Sequence, residues 1–413
     1  MIFLYNFLWI LLLPIILVLM IVRIVTGKED ILRIQERLGL ASIPKSSRKI
    51  IWIHAASLGE SKIALTLSKN LRPILKGDKI LITTGTIVSA NYIRKNLEGS
   101  IIHQFAPLDN LVSVMLFLKY WKPKLGIFIE CELWPNLSYF GAKVCPLLLV
   151  NARMSDKSFS KWTKFKFIAS SILQNYKIVL CQSDKDCEKY RILGADDALA
   201  AGNLKFSDNK LPVPPHKLRI LKTQTKDRKI FVAASTHPED EKLIVAAHKK
   251  MRKKFPEFLT IIAPRHPIRS SSIASFVKSK GLSLAVRSGK DKITDKTDIY
   301  LADTIGELGL FFSIAKASFI GGSFQQGGHN LIEPAYFNIM MLIGPNMTNC
   351  QEVADEFIKI GAAHTVRSTK DICTKLEQIY SEELLYDTKQ SRAIIKKHVN
   401  VVNKYLSYIK KYL

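Results

Sequence analysis

Carboxylates, cations and small residues gather at a few short stretches of this chain, each directly after an apolar run. The first reads His54-Ala55-Ala56-Ser57-Leu58-Gly59-Glu60-Ser61. Glu60 falls in the first turn of a helix, where the dipole keeps a carboxylate ionised, so it can accept a proton from an attacking hydroxyl, although the same field limits its basicity. Taken alone, the segment reads better as an acid favouring its own helix start, and His54 as a satisfied strand-end residue. The second stretch, Glu130-Cys131-Glu132-Leu133-Trp134-Pro135, sets two carboxylates after an apolar strand. They can stabilise a cationic transition state, hold sugar hydroxyls, or simply cap a helix with Pro135 in its first turn. Gly202 to Phe206 then brings Lys205, which near a cleft would neutralise a phosphate or carboxylate and elsewhere would be solvated surface.

The later half repeats the arrangement. Ala233 to His237 (AASTH) and Ala263-Pro264-Arg265-His266-Pro267 both follow strand-like runs, and prolines on either side of Arg265-His266 hold its guanidinium in a rigid loop suited to a phosphate fork. Asp303 to Leu308 (DTIGEL) sets Gly306 beside Glu307, room for a base or ribose, or else an ordinary capped helix start. Gly321 to Ala335 (GGSFQQGGHNLIEPA) reads as a ligand-binding turn: its glycines let backbone approach a ligand, and Asn330 caps a helix from Leu331 with Glu333 in the first turn. No G-x-G-x-x-G follows a first strand and no G-x-x-x-x-G-K-[ST] occurs, which argues against nicotinamide enzymes and P-loop nucleotidases. Asp184-Lys185-Asp186 matches a metal-binding D-x-D but opens an ordinary helix, so capping explains it better.

The elements that must position these loops are short β-rich runs alternating with amphipathic stretches, the pattern of parallel α/β layers. Strands are expected at 49–53, 79–83, 101–105, 124–129, 146–150 and 178–181, then at 230–234, 259–263, 282–285, 299–302, 317–320 and 340–343. Between the two series, 207–229 is rich in proline and charge and reads as a linker. The expected organisation is a membrane anchor over 1–22, a Rossmann-like domain over 30–206, the linker, and a second Rossmann-like domain over 230–413, facing each other across a cleft. Met1 to Val22 carries no charge and is about as long as a bilayer span needs. Arg23, Lys28, Arg33 and Arg37 follow and place the remainder in the cytoplasm, while Asn6 and Pro14 leave a partly inserted helix open. The formal charge of +26 implies an anionic partner. The six cysteines show no C-x-x-C pair, consistent with a reduced, metal-free interior.

Taken together and in order, HAASLGES, ECELWPN, NARMSDKS, GNLKF, AASTH, APRHP, DTIGEL and GGSFQQGGHNLIEP resemble the Kdo transferases of lipopolysaccharide synthesis, two-domain glycosyltransferases of the GT-B type. The resemblance runs from the anchor to about residue 343. It implies transfer of 3-deoxy-D-manno-oct-2-ulosonic acid (Kdo) from CMP-Kdo to a lipid A precursor, a tetraacyldisaccharide bisphosphate, at the cytoplasmic face of the inner membrane. It also implies roles: Glu60 as general base, Glu130 and Lys205 as stabilisers of the transition state, and a CMP site at Pro264, Arg265, Gly306, Glu307, Leu308, Asn330, Leu331, Ile332 and Glu333. Cys131, where a small polar residue is expected, and Ile332, where leucine is commoner, are mild departures.

The chemistry agrees with that assignment. CMP-Kdo carries one phosphate, so Arg265 and helix N–H groups can neutralise the leaving group, and no metal or other cofactor is expected. Attack by an acceptor hydroxyl with Glu60 taking its proton would invert the sugar centre. Lys157 to Phe167 (KSFSKWTKFKF) interleaves lysines with aromatics, either a membrane- or acceptor-contacting segment or a helix packing its aromatics inward. The alternatives are a GT-B transferase of another nucleotide sugar on a lipid acceptor, and a membrane-anchored nucleic-acid-binding protein. The second lacks any recognisable nucleic-acid motif, so no nucleic acid is expected as partner.

Overall fold

Runs of Ile, Val, Leu and Phe with no polar alternation demand cover on both faces, the condition of a parallel sheet between helical layers. The computed structural model describes the chain except residues 98, 100, 131, 132, 207–210 and 386. Among the described residues, fourteen strands form two seven-stranded sheets in which every pairing is parallel.

The first compact unit comprises Met1–Ser207 together with Asn400–Leu413. Its strands are β1 (Ile50–Ala55), β2 (Lys79–Thr84), β3 (Ile101–Phe105), β4 (Leu125–Ile129), β5 (Leu147–Ala152), β6 (Ile178–Cys181) and β7 (Ala198–Ala200), in the order β3-β2-β1-β4-β5-β6-β7. Every residue of β1 is buried: Ile51, Ile53 and Ala55 enter one core with Ile63 and Leu67, whereas Ile50 and Trp52 enter the other with Phe117 and Phe128. The strand order reverses between β1 and β4, so the loops leaving those two strands diverge and open a crevice at their carboxyl ends.

The second unit, Asp208–Val399, carries β8 (Lys229–Thr236), β9 (Phe258–Pro264), β10 (Leu284–Val286), β11 (Ile299–Leu301), β12 (Ala317–Ile320), β13 (Met340–Ile343) and β14 (Ala363–Thr365). Their order, β10-β11-β9-β8-β12-β13-β14, reverses between β8 and β12. All the strands read from the sequence are present, with ends moved by at most two residues. Only β7 and β14, each three residues long, escaped that reading.

Three features depart from the expected organisation. The apolar N-terminus is not one helix but two, α1 (Ile2–Leu11) and α2 (Leu13–Val25), bent by 65° at Leu12. Pro14 lacks an N–H and its ring clashes with the carbonyl four residues earlier, so it can only stand in the first turn of a new helix. No single helix among the described residues is long and apolar enough to cross a membrane, although the bent pair together has the length and composition. At the other end, the helix Val401–Ile409 lies in the first unit rather than the second, to which 230–413 had been assigned. Val401, Val402, Tyr405 and Ile409 are buried in the core that contains Ile63 and Leu67, and the Tyr405 hydroxyl donates to the Gly202 carbonyl at 2.9 Å. Finally, the first residues of the expected linker, 207–210, lie outside the described residues. Much of the remainder is the helix Pro215–Gln224, which buries Leu221 in the second unit.

Candidate functional site

In the first unit, the expected catalytic groups stand on the loops that follow β1, β4 and β7. Ser57 caps the helix α3 (Leu58–Leu71), its Oγ accepting the Glu60 N–H at 3.3 Å while its hydroxyl donates to Glu60 Oε1 at 2.6 Å. Glu60 Oε2 accepts the Ala56 N–H at 2.7 Å, closing a capping box that reaches one residue further back than usual. Glu60 is therefore 6% exposed and oriented by its own loop. Its capping role and a catalytic role occupy the same carboxylate. Behind it, His54 is buried and its Nδ1 lies 2.9 Å from Thr83 Oγ1, which also accepts the Trp52 indole N–H at 2.8 Å. His54 is thus a buried strand-end histidine, held through Nδ1.

Glu130 ends β4 with a left-handed φ of 63°, a conformation that costs a non-glycine residue about 1–3 kcal/mol. The turn aims its carboxylate at Lys205, whose Nζ stands 2.5 Å from Oε1, although out of line for a proper hydrogen bond. Lys205 is itself positioned by two asparagines. Asn151 breaks the β5 register with φ 54° and its Oδ1 accepts the Leu204 N–H at 2.8 Å, while Asn203 Oδ1 accepts the Lys205 N–H at 2.9 Å. Thus NARMSDKS and GNLKF, separate in sequence, form one support for the Glu130–Lys205 pair. Cys131 and Glu132 lie outside the described residues. Asp186 of the D-x-D segment is a cap, accepting the Ser183 hydroxyl at 2.7 Å and the Met154 N–H at 3.1 Å.

In the second unit, the loops after β8, β9, β11 and β12 carry the expected nucleotide site. Asp240 Oδ2 accepts both the His237 N–H at 2.9 Å and the Gly322 N–H at 2.8 Å, tying the loops on either side of the strand-order reversal. Pro264 is buried at the end of β9, and Arg265 is exposed with its N–H on the Thr236 carbonyl at 3.0 Å. The Arg265 guanidinium has no protein partner among the described residues, whereas neighbouring Arg269 is committed to Glu241 at 2.6 and 3.1 Å. Gly306 is left-handed at φ 84° with open space beside it.

Two of the expected CMP-site segments have their side chains engaged within the protein. The Glu307 carboxylate is held by Arg287 at 2.9 Å through each oxygen, by Lys217 at 2.8 Å and by the Thr304 hydroxyl at 2.5 Å, and the Arg287 hydrogen bonds hold its pKa well below the usual carboxylate range. Likewise, Leu331 and Ile332 are fully buried, so between 330 and 333 only Asn330 and Glu333 present side chains. The helix there starts at Ile332, one residue later than expected, with Asn330 Oδ1 accepting the Ile332 N–H at 2.9 Å and Asn330 Nδ2 donating to Glu333 Oε1 at 3.2 Å.

The glycines of 321–328 also serve a purpose other than ligand approach. A Cβ on Gly321 would sit 2.2 Å from the Ser235 carbonyl oxygen, one on Gly327 2.6 Å from Thr348 Oγ1, and one on Gly328 2.4 Å from Met347 Sδ. They are glycines because neighbouring protein segments already occupy the space. Three histidines that the sequence motifs contain but to which no role was given, His237, His266 and His329, lie close together. His237 and His329 stack at 5.4 Å between centroids with their Nε2 atoms 3.2 Å apart, and His266 stands edge-on to His237 at 6.0 Å. Burial and nearby Arg265 push His329 down to about 4, so it is neutral at physiological pH. Each follows a strand, in AASTH, APRHP and GGHN, and that shared position was the available signal. No group of three or more His, Cys, Asp or Glu among the described residues is arranged to hold a metal ion.

Residues 32–208 match the family model for 3-deoxy-D-manno-octulosonic-acid transferase (kdotransferase). Over 99% of both chains, the sequence is 40% identical to the 3-deoxy-D-manno-octulosonic acid transferase of Rickettsia bellii. It is 31% identical to the protein of that name from Haemophilus influenzae, over 87% of this chain and 84% of the relative. Among solved structures, a glycosyltransferase from Rickettsia africae superposes with a TM-score of 0.61 at 14% identity, covering 89% of this chain and 99% of that one, which supports a GT-B-like fold.

Proposed function

The chain belongs to the 3-deoxy-D-manno-octulosonic acid transferase family, a family of glycosyltransferases, and on that premise we propose that it transfers Kdo from CMP-Kdo to a phosphorylated lipid A precursor. The observation that carries the mechanism is the placement of Glu60, a buried carboxylate fixed at the carboxyl end of β1 beside the strand-order reversal. From there it takes the proton of the attacking acceptor hydroxyl. As the bond to the CMP phosphate breaks, positive charge develops on the sugar, which the Glu130 carboxylate favours, while Lys205 holds that carboxylate in place. Attack opposite the departing phosphate inverts the anomeric centre.

The donor is assigned to the second unit. Arg265, whose guanidinium has no protein partner among the described residues, takes the single phosphate of CMP; the 306–308 backbone receives the cytosine, and Asn330 and Glu333 the ribose. A single phosphate with a guanidinium partner needs no divalent ion, so the reaction is proposed to be metal-independent. The apolar helix pair and the basic residues behind it hold the enzyme at the cytoplasmic face of the inner membrane. The test is incubation of detergent-solubilised protein with CMP-Kdo, tetraacyldisaccharide bisphosphate and EDTA. CMP release with a correspondingly heavier lipid is expected; no release in EDTA but release with added Mg2+ would defeat metal independence, and no release in either would defeat the assignment.

A further inference from the structure

The N-terminal helix pair does more in this fold than provide apolar length. α1 is fastened to the first unit by its own polar side chains. The Tyr5 hydroxyl donates to Asp109 Oδ2 at 3.0 Å, and Asn6 and Asn136 exchange reciprocal amide hydrogen bonds at 2.9 Å. Asp109 is itself buried and fixed by the N–H groups of Asn136 and Leu137 at 3.1 and 2.7 Å. Hydrogen bonds of this kind dock a helix on protein; a helix passing alone through lipid would have no use for them.

Between the docked pair and the strand ends lies a cavity of about 300 Å3. That is the lower end of the range that holds small ligands, enough for one substituted sugar and not for a whole lipid. Trp9 and Met20 line it from the helix pair, Trp134 and Leu137 line it from the globular side, and it extends to Ala56, whose N–H holds Glu60. The pocket therefore reaches the backbone that carries the proposed base. It also has a cation at its wall. Glu29 is paired by two arginines, and Arg37 is buried with its donors spent on Glu29 and on the carbonyls of Gly85 and Ala106. With Asp109 also in the lining, the wall carries two arginines and two carboxylates, and Arg23, with 42% of its side chain exposed, is the more accessible guanidinium.

We propose that this pocket is the acceptor's head-group subsite: it takes one phosphorylated, acylated sugar, with the phosphate on Arg23, the ring between Trp9 and Trp134, and the acyl chains leaving along the apolar outer faces of α1 and α2. The outer residues Phe3, Leu4, Phe7, Ile10 and Leu11 are exposed and continue that apolar path. The inference rests on the proposed function and deepens it, because the N-terminal helices become a wall of the substrate site.

The test measures binding and transfer separately on the full-length protein in micelles. Calorimetry compares a diacylated glucosamine 1-phosphate with its dephosphorylated counterpart, using wild type, Arg23→Gln and Met20→Trp, the last chosen to fill the cavity. Wild type should bind the phosphorylated form at least ~10-fold tighter. Arg23→Gln should level the two forms, Met20→Trp should weaken both, and CMP affinity should stay unchanged in each variant. Equal binding of the two forms by wild type, or a preference retained by Arg23→Gln, would overturn the subsite. Transfer assays on wild type decide the enzymatic reading independently, so failure of one is not mistaken for failure of the other. Should Met20→Trp fail to fold, as its thermal melt would show, the phosphate preference of Arg23→Gln alone is decisive.

Discussion

Glu60 secures its own loop through Ala56 and Ser57, so a substitution there acts on stability as well as chemistry, and the two effects separate by choice of variant. Glu60→Gln keeps an acceptor for the Ala56 N–H. It should lower kcat by about 10^2–10^4 while CMP affinity, measured by calorimetry, stays within about twofold. Glu60→Ala should lose comparable activity and in addition about 1 kcal/mol of stability in denaturant titration, the usual worth of a helix cap. Asp109 gives a second residue-scale expectation. Burial raises its carboxyl to about 6 in spite of the hydrogen bonds it accepts. The folded state thus holds this proton more tightly than the unfolded chain, and stability should fall as pH rises from about 4 to about 6, levelling above. The effect is on the order of 2–3 kcal/mol. Asp109→Asn should remove that slope in chemical denaturation followed across pH; a slope unchanged in the variant would refute the assignment. At this scale the sequence revealed which residues stand at strand ends, because apolar runs end abruptly there. It did not reveal which side chains were already committed. Nothing in DTIGEL announces that Arg287 and Lys217, both distant in the chain, hold the Glu307 carboxylate.

Parallel strands were legible because burial on both faces leaves continuous apolar runs, and the helix starts at Glu60 and Asp184 because acids there follow Ser57 and Ser183, which cap those helices. Glycines were harder to interpret, since the same residue serves a ligand, a turn or a close chain crossing. Gly321→Ala distinguishes these. Its Cβ meets backbone at the end of β8 rather than open space, so the substitution should destabilise the second unit by about 1–3 kcal/mol and lower CMP affinity only through that loss. Comparison of melting temperature with CMP titration checks this, and weakened CMP binding at unchanged stability would return the glycine to the ligand. The helix Val401–Ile409 was invisible as part of the first unit, because a 3.6-residue apolar pattern reports that a face is buried and not against what. Tyr405→Ala removes a fully buried ring and should cost about 3–5 kcal/mol in unfolding of the first unit, with CMP binding by the second unit retained.

Across the whole molecule, a charge of +26 has to be placed on a surface that also carries apolar helices. The segment 157–167 shows how both are accommodated. Phe159 and Trp162 turn toward the core, whereas Phe165 and Phe167 are exposed among Lys161, Lys164 and Lys166. The two readings of that segment are thus divided between its two halves. Neutralising the three lysines should weaken binding to anionic vesicles by up to about 10^2-fold at low salt, given roughly 1 kcal/mol per cation near such a surface, and added salt should erase the difference. Sedimentation with vesicles of graded anionic content measures it. The sheet topology carries a consequence of a different kind, for the order of events during synthesis. The chain leaves the first unit after residue 207 and returns to it only at residue 400, with Tyr405 then filling the core. The second unit is contiguous and has all its strands before that return. Although a growing chain ordinarily settles its N-terminal domain first, here the first unit emerges early yet stays unfinished until the residues from 400 onward have been made. A released chain truncated after residue 399 should therefore show a protease-resistant second unit beside a still-cleavable first one.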